Sequence, residues 1–428
     1  MTNLKIQVKK AKRASIILGS VKTDIKNKAL ENIAEAIKNN KDKIITENKK
    51  DVADAEKNKL GKSLVERLIL NDKKLKEIIK IVESVIRLDD PVGKITEAIE
   101  LDKGLELFKT TVPIGLIGAI FESRPDAVVQ ISSLCIKSGN AVILKPGSEA
   151  KNTSKILVNL IRNGMEKAGI SKDAVQLIES REQVKEMLKL HEYIDLLVPR
   201  GSNKFVKYIK ENTKIPVLGH AEGICHVYVD KNADIRKAAD ICYDSKCQYA
   251  AVCNAMETLL VHKSIAGRFL PVIARKYKKA DVELRGNDPV VKIIKAKKAS
   301  EEDWKKEYND LVLSIKTVGN VDEAIKHINN YGSKHTDAIV TEDLKTASKF
   351  IDLVDSSSVM HNCSTRFADG FRYGKGAEVG ISTMKIHSRG PVGLEGLVIY
   401  KYILKGKGHT VEKYASGKRK FIHKRLKK

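Results

Sequence analysis

Apolar residues at the start of the chain recur at three- and four-residue intervals. Ala29, Leu30, Ile33, Ala34, Ala36 and Ile37 form one stripe, and Leu64, Leu68, Ile78, Ile79, Ile81 and Val82 form another. One apolar face per helical turn predicts amphipathic helices over residues 8–60 and 64–88. Asp89-Asp90-Pro91-Val92-Gly93 stops the pattern, because proline cannot donate and glycine favours a turn. Residues 94–112 then read as strands (Ile95, Ala98, Leu101, Leu105, Leu107), predicting a hairpin that turns at Asp102-Lys103-Gly104. The period changes again over 112–121, an almost unbroken apolar run expected of a strand buried on both faces.

Helices and strands alternate from there. A helix over 125–137 is closed by Ser138-Gly139, and strands are predicted at 141–144, 175–178 and 194–198. Helices fall at 153–168, 180–191 and 202–212, and 216–218 starts a further strand. Strand and helix joined by short links predict an α/β protein with a doubly wound parallel sheet and right-handed crossovers. Residues 223–390 read as a second α/β unit with strands at 226–229, 258–261 and 312–318, closing in glycine-rich turns. The tail over 411–428 reads as a basic end with Tyr414 and Phe421 as packing points.

A chain of 428 residues exceeds a single core, so two or three domains are expected. No apolar run reaches the roughly 18–20 residues of a membrane span. The net charge of +25 raises nucleic-acid binding as a question. Against it, lysines such as Lys26, Lys28, Lys38, Lys41 and Lys43 are scattered singly among acids. Aromatics are only 5%, too few for stacking platforms, and no nucleic-acid motif is present. The charge reads as a solvated surface that also attracts a polyanionic substrate and cofactor. Neither a nucleic acid nor a membrane is expected as a partner. Cys135, Cys225, Cys242, Cys247, Cys253 and Cys363 lack zinc or disulfide-framework spacing, so no metal is expected and the setting reads as reducing and cytoplasmic. The basic stretch 1–22 reads as the opening of a helix, with a mitochondrial targeting segment as the alternative.

Cys253 is the leading candidate for chemistry. It lies between Ala250-Ala251-Val252 and the strand at 258–261, with Gln248 upstream. A thiolate there can be an acylatable nucleophile, although a lone thiol among apolar residues also serves as core filler. A doubly wound sheet binds nucleotides at its carboxyl ends, yet no G-x-G-x-x-G follows any strand. Lys145-Pro146-Gly147-Ser148-Glu149 and Arg200-Gly201-Ser202-Asn203 end two strands instead. The second opens a helix, where Gly201 and Ser202 can receive an anion or simply form a cap.

Several segments together resemble one family. They are Phe121-Glu122-Ser123-Arg124-Pro125-Asp126, the stretch 137–144, Cys225-His226-Val227-Tyr228-Val229-Asp230 and Cys253-Asn254-Ala255-Met256-Glu257-Thr258. Others are the stretch 331–338, Asn362-Cys363-Ser364-Thr365-Arg366-Phe367-Ala368-Asp369-Gly370, the stretch 376–383 and His387-Ser388-Arg389-Gly390-Pro391. In this order they are similar to the γ-glutamyl phosphate reductases, a branch of the aldehyde dehydrogenase superfamily, along almost the whole chain. Two positions depart from the family pattern, Ala250 beside the nucleophile loop and Met384 where a polar residue is common.

The resemblance implies NADPH-dependent reduction of L-glutamyl 5-phosphate to glutamate 5-semialdehyde and phosphate, the second step of proline biosynthesis. An acylating aldehyde dehydrogenase acting on another activated acid is the alternative. Cys253 would form a thioester, with Ser123 near an oxyanion donor position that hydrolytic relatives fill with asparagine. Gly219 and His220 stand near the place of those enzymes' water-activating glutamate, with Glu222 close by. Arg124, Arg366, Asn362 and Asn254 would bind substrate. Lys145, Gly201, Ser202 and Glu307 would bind cofactor, with Lys145 favouring NADPH and Glu149 arguing the reverse. His226, His387 and Arg389 read as structural.

The implied fold is aldehyde dehydrogenase-like. Residues 1–93 and 110–222 would bind NADPH, and 223–390 would be the α/β catalytic domain. Residues 94–109 and 391–410 would form a small oligomerisation hairpin and strand, followed by the tail. A homodimer or homotetramer is expected, with glutamate 5-kinase as a transient partner.

Overall fold

The structure, a computed structural model, describes residues 3–201, 203–219 and 222–426. The helical stripes form α1 (Asn3–Leu18), α2 (Thr23–Asn39), α3 (Lys41–Lys57), α4 (Lys62–Leu68) and α5 (Asp72–Arg87). Asn71 caps α5 by accepting from the Lys74 amide, and Leu75, Ile78, Val82 and Val85 are its buried face. Lys26, expected on a solvated face, is instead buried and paired with Asp90 at 2.5 Å.

The hairpin forms as β1 (Ile95–Asp102) and β2 (Leu105–Pro113), turning at Gly104 with φ +75°. The expected strand over 112–121 divides. Its first residues finish β2, and the parallel strand β3 (Leu116–Phe121) begins only after Gly115. Gly115 has φ +128°, and an added Cβ would lie 2.3 Å from an Asp195 oxygen, so only glycine fits this corner.

Next come α6 (Asp126–Lys137), β4 (Ala141–Lys145), α7 (Lys151–Lys167), β5 (Val175–Leu177), α8 (Arg181–Met187), β6 (Leu196–Arg200) and α9 (Asn203–Glu211). The four strands are parallel in the order β5-β4-β3-β6. The chain steps outward from β3 and then returns to its other side, so the strand order reverses between β3 and β6. Residues 216–218 give only a bridge between Leu197 and Val217, not a fifth strand. Every residue of β3 is buried, at about 1.5–3 kcal/mol for each large apolar side chain, and the stripes of α1, α2 and α5 join the same core.

The second unit contains β7 (Cys225–Val229), α10 (Ile235–Cys247), β8 (Met256–His262), α11 (Lys263–Lys279), β9 (Glu283–Gly286), α12 (Asp288–Ile293) and β10 (Lys297–Lys298). It continues with β11 (Val312–Val318), α13 (Val321–Tyr331), β12 (Thr336–Val340), α14 (Leu344–Leu353) and β13 (Ser358–His361). Its seven strands, all parallel, run β10-β9-β11-β8-β7-β12-β13.

An antiparallel pair follows, β14 (Gly380–Ser382) and β15 (Gly390–Val392). Then β16 (Val398–Lys405) runs along β2 in unbroken register. The tail is more than a charged end. It forms α15 (Val411–Ala415) and β17 (Lys424–Arg425), and β17 adds to β1 as the fourth strand of the hairpin sheet. Asp102 anchors it, accepting from the Tyr414 hydroxyl at 2.8 Å and pairing with Arg419 at 2.9 Å. Tyr414 stacks on Phe421 with centroids 4.4 Å apart. Among the described residues, no helix is long and apolar enough to cross a membrane.

Candidate active site

Cys253 lies on the loop between α10 and β8, at the amino end of the seven-stranded sheet, and is half-buried. Its backbone is held from three directions. A Cβ on Gly223 would fall 2.2 Å from the Cys253 carbonyl oxygen, so glycine is required for this approach. The Cys225 thiol donates to that same carbonyl at 3.2 Å, and Arg67 of α4 donates to the Ala251 carbonyl at 2.9 Å. Asn254 is buried, with its amide nitrogen on the Ala368 carbonyl at 2.8 Å and its amide oxygen unpartnered. Burial pushes the Cys135, Cys225 and Cys242 thiols far up and Cys247 to about 11, so all four are poor thiolates.

Two arginines bond residues of the Cys253 loop, Arg67 as above and Arg366. Arg366 is buried, its Nε donates to the Gln248 side chain at 2.9 Å, and it interacts electrostatically with Cys253. Burial and the like charge of Arg372 lower its pKa. Arg124 is partly exposed and pairs with Asp126 at 2.9 Å, which raises its pKa. Arg200 ends β6, where sequence reasoning had picked its neighbours Gly201 and Ser202 and passed over the arginine itself. Arg200 lies in the field of both Arg124 and Cys253. The signal that could have found it was a cation closing a parallel strand beside the order reversal.

Ser123 also lies at that reversal, but its hydroxyl is committed. Both its amide and its hydroxyl donate to Glu149 Oε1, at 2.6 and 2.8 Å, from a left-handed conformation with φ +44°. The hydroxyl aimed at Glu149 departs from the expected oxyanion donor. Lys145 ends β4, buried, with Nζ on the Pro146 carbonyl at 2.7 Å; burial lowers its pKa. Gly201 is exposed after β6, and a Cβ there would come within 3.2 Å of Glu122 and Phe205. Ser202 and His220 lie outside the described residues, and Glu222 is exposed.

Glu307 is half-buried on the link into β11 and lies in the field of Glu257. Sequence reasoning gave Glu257 no role, yet it is buried four residues beyond the nucleophile. Its carboxylate pairs with buried Lys246 at 2.6 Å and accepts from the Asn309 amide at 3.1 Å. Burial pushes its pKa up against the pull of Lys246.

Asn362 is not brought to this cluster. It follows β13, has φ +55°, and exchanges hydrogen bonds of 3.0 Å with both backbone groups of Thr341. The parallel registers level His361 with Ile339 and Val340 with Val229 and Val261, whereas Cys253 precedes Met256. Asn362 therefore sits at the carboxyl end of the sheet and Cys253 at the amino end. His226 bonds Asp337 at 2.8 Å and His387 the Gly396 carbonyl at 3.0 Å.

A nicotinamide nucleotide suits the carboxyl ends of β3, β4 and β6. Lys145 supplies a buried cation there.

The aldehyde dehydrogenase family model matches residues 2–301. The gamma-glutamyl phosphate reductase of Methanococcoides burtonii is 56% identical, with 99% of this chain and 97% of that protein aligned. The enzyme of the same name from Acetivibrio thermocellus is 55% identical, with 97% of each covered. The crystal structure of gamma-glutamyl phosphate reductase from Thermotoga maritima superposes with a TM-score of 0.93 at 42% identity, covering 96% of this chain and all of that one.

Proposed function

The chain belongs to the gamma-glutamyl phosphate reductases of the aldehyde dehydrogenase family, and from that premise we propose that it reduces L-glutamyl 5-phosphate to glutamate 5-semialdehyde and phosphate through a thioester on Cys253. The observation that carries the residue-level reading is a half-buried thiol on a loop bordered by two arginines, Arg366 on the Gln248 side chain and Arg67 on the Ala251 carbonyl. Positive charge there draws an acyl phosphate to the thiol. Arg124 and Arg366 grip the anionic groups of the substrate. Asn254 fixes the loop through Ala368, and the Cys253 amide faces the developing oxyanion. Ser123 acts indirectly, by holding Glu149.

Bound NADPH supplies the hydride that reduces the thioester. Lys145 and Gly201 hold its adenosine and phosphate portion, and Glu307 its nicotinamide ribose. An unpaired glutamate base at the thiol is not needed, because the thioester is to meet hydride and not water.

A homodimer or homotetramer joined through the hairpin sheet completes this reading. Its edge strand β16 exposes Ile399, Tyr400, Tyr402 and Leu404, an apolar edge that pairing would cover. The six free thiols fit a cytoplasmic setting. The lability of the acyl phosphate makes a transient contact with glutamate 5-kinase advantageous.

The reverse reaction tests the proposal. Purified protein is mixed with pyrroline-5-carboxylate, NADP+ and phosphate while NADPH absorbance is followed. Phosphate-dependent NADPH formation is expected, falling on the order of 10⁴-fold or more in a folded Cys253→Ala variant. An active Cys253→Ala would overturn the nucleophile. A folded but silent wild type would redirect the reading to another activated acid.

A further inference from the structure

Resting on that reading, we infer that Arg200 holds the departing phosphate and that Glu378 is its positioning residue. Arg200 closes β6 at the reversal of strand order, and its Nη1 is buried without a hydrogen-bond partner among the described residues. A buried cationic donor is costly to leave unmet and calls for an anion. Glu378 does not meet that need. Its Oε1 lies 4.0 Å from Arg200 Nη2, too far for a hydrogen bond, while its Oε2 accepts from the Gly370 amide at 2.8 Å. Glu378 thus attracts the guanidinium from one side at ion-pair distance, and Nη1 is left without a hydrogen-bond partner.

The choice of phosphate follows from the neighbours. Arg124 and Arg200 repel each other; Asp126 pairs with Arg124, and Glu378 and Asp126 offset part of the charge on Arg200 without bonding its Nη1. A dianion between them relieves that repulsion, as a single carboxylate does less fully. Glu378 beside Arg200 accepts from Gly370, and Ala368 two residues earlier accepts from Asn254, so a chain of contacts links Arg200 to the residue after Cys253. In the acylation step the sulfur–carbon bond forms and the carbon–oxygen bond to phosphate breaks. Its electron pair leaves with the phosphate, and the proton given up by the thiol ends on that phosphate. Negative charge grows on the group that Arg200 faces.

Arg200→Gln and Arg200→Lys are compared with wild type in the reverse reaction, with phosphate varied at saturating NADP+ and pyrroline-5-carboxylate. The phosphate KM is expected to rise about 10-fold or more in Arg200→Gln and less in Arg200→Lys, with the NADP+ KM steady. Glu378→Gln is expected to move the same constant in the same direction by a smaller factor. In parallel, inorganic phosphate should slow alkylation of Cys253 by iodoacetamide in wild type, with protection shifted to higher phosphate in the Arg200 variants. An unchanged phosphate KM overturns the assignment. So does a rise in the NADP+ KM alone, which would hand Arg200 to the cofactor. If Arg200→Gln fails to fold by circular dichroism, Arg200→Lys decides. If wild type shows no phosphate-dependent turnover, the reductase reading fails, while the alkylation measurement still decides whether Arg200 receives phosphate.

Discussion

The two parallel sheets offer opposite ends to one site. The four-stranded sheet presents its carboxyl ends, where Ser123 and Arg124 follow β3, Lys145 ends β4 and Arg200 ends β6. The seven-stranded sheet presents its amino end, where the loop into β8 carries Cys253. The first arrangement follows from parallel topology, since turns after the strands at an order reversal leave a crevice lined by backbone amides and strand-end side chains. The second has no such general basis and must be built. Gly223, the Cys225 thiol and the buried Lys246–Glu257 pair build it, holding the nucleophile loop from beneath. One sheet presents charge by topology, and the other presents the candidate nucleophile by local clamping.

The largest expected effect tests the clamp. Glu257→Ala strands a buried ammonium and should cost about 3–5 kcal/mol in urea unfolding, whereas the joint Lys246→Met, Glu257→Leu change should cost much less. Equal losses would mean that the pair contributes packing and not charge.

On the opposite sheet, Ser123→Ala removes one of the two bonds to Glu149. A stability loss of about 1–3 kcal/mol is expected, with kcat reduced less than about 10-fold. A fall of 10²–10³, the rough size of a lost oxyanion donor, would restore Ser123 to the reacting atoms.

His327 sharpens the electrostatics beneath the amino end. It is packed among Trp304, Tyr331 and His226, and burial pushes its pKa down to about 2. Between that value and the ordinary histidine range the unfolded chain binds a proton that the folded one refuses. Stability should therefore fall as pH drops below about 6.5, by at most about 1.4 kcal/mol per unit. Glu257 works the other way, because a carboxyl raised by burial favours the folded state as pH falls. The test is thus the difference between wild type and His327→Gln in unfolding free energy from pH 7.5 to 5, which should shrink as pH falls. A constant difference would remove His327 as the source.

The smallest effect is expected at the far end of the seven-stranded sheet. Asn362→Gly suits φ +55° and loses two hydrogen bonds, so stability should fall by about 1 kcal/mol with kcat/KM within about 3-fold. A selective rise in substrate KM would bring Asn362 back to the binding site.

Local pattern made the N-terminal helices, the hairpin and the alternation from residue 116 onward legible in the sequence, because period and turn residues act over a few positions. It missed most strands of the second sheet, where short, half-buried strands such as β9 (Glu283–Gly286) and β13 (Ser358–His361) hold too few apolar positions to show a period. It read the tail as a basic end with Tyr414 and Phe421 as packing points but not as part of the hairpin sheet, since the partners of Tyr414 and Arg419 lie on Asp102, more than three hundred positions away in the chain.

The sequence by itself determined the nucleophile candidate, the family motifs and the placement of Lys145 and Gly201 after strands, because each depends on residue type and neighbours along the chain. Only the tertiary structure decided that Ser123 bonds Glu149, that Asn362 and Cys253 lie at opposite ends of their sheet, that Arg200 keeps a buried Nη1 without a partner and that Glu257 pairs with Lys246. Those outcomes depend on which strand ends meet and which polar atoms find partners once water is excluded, and neither is written in local periodicity.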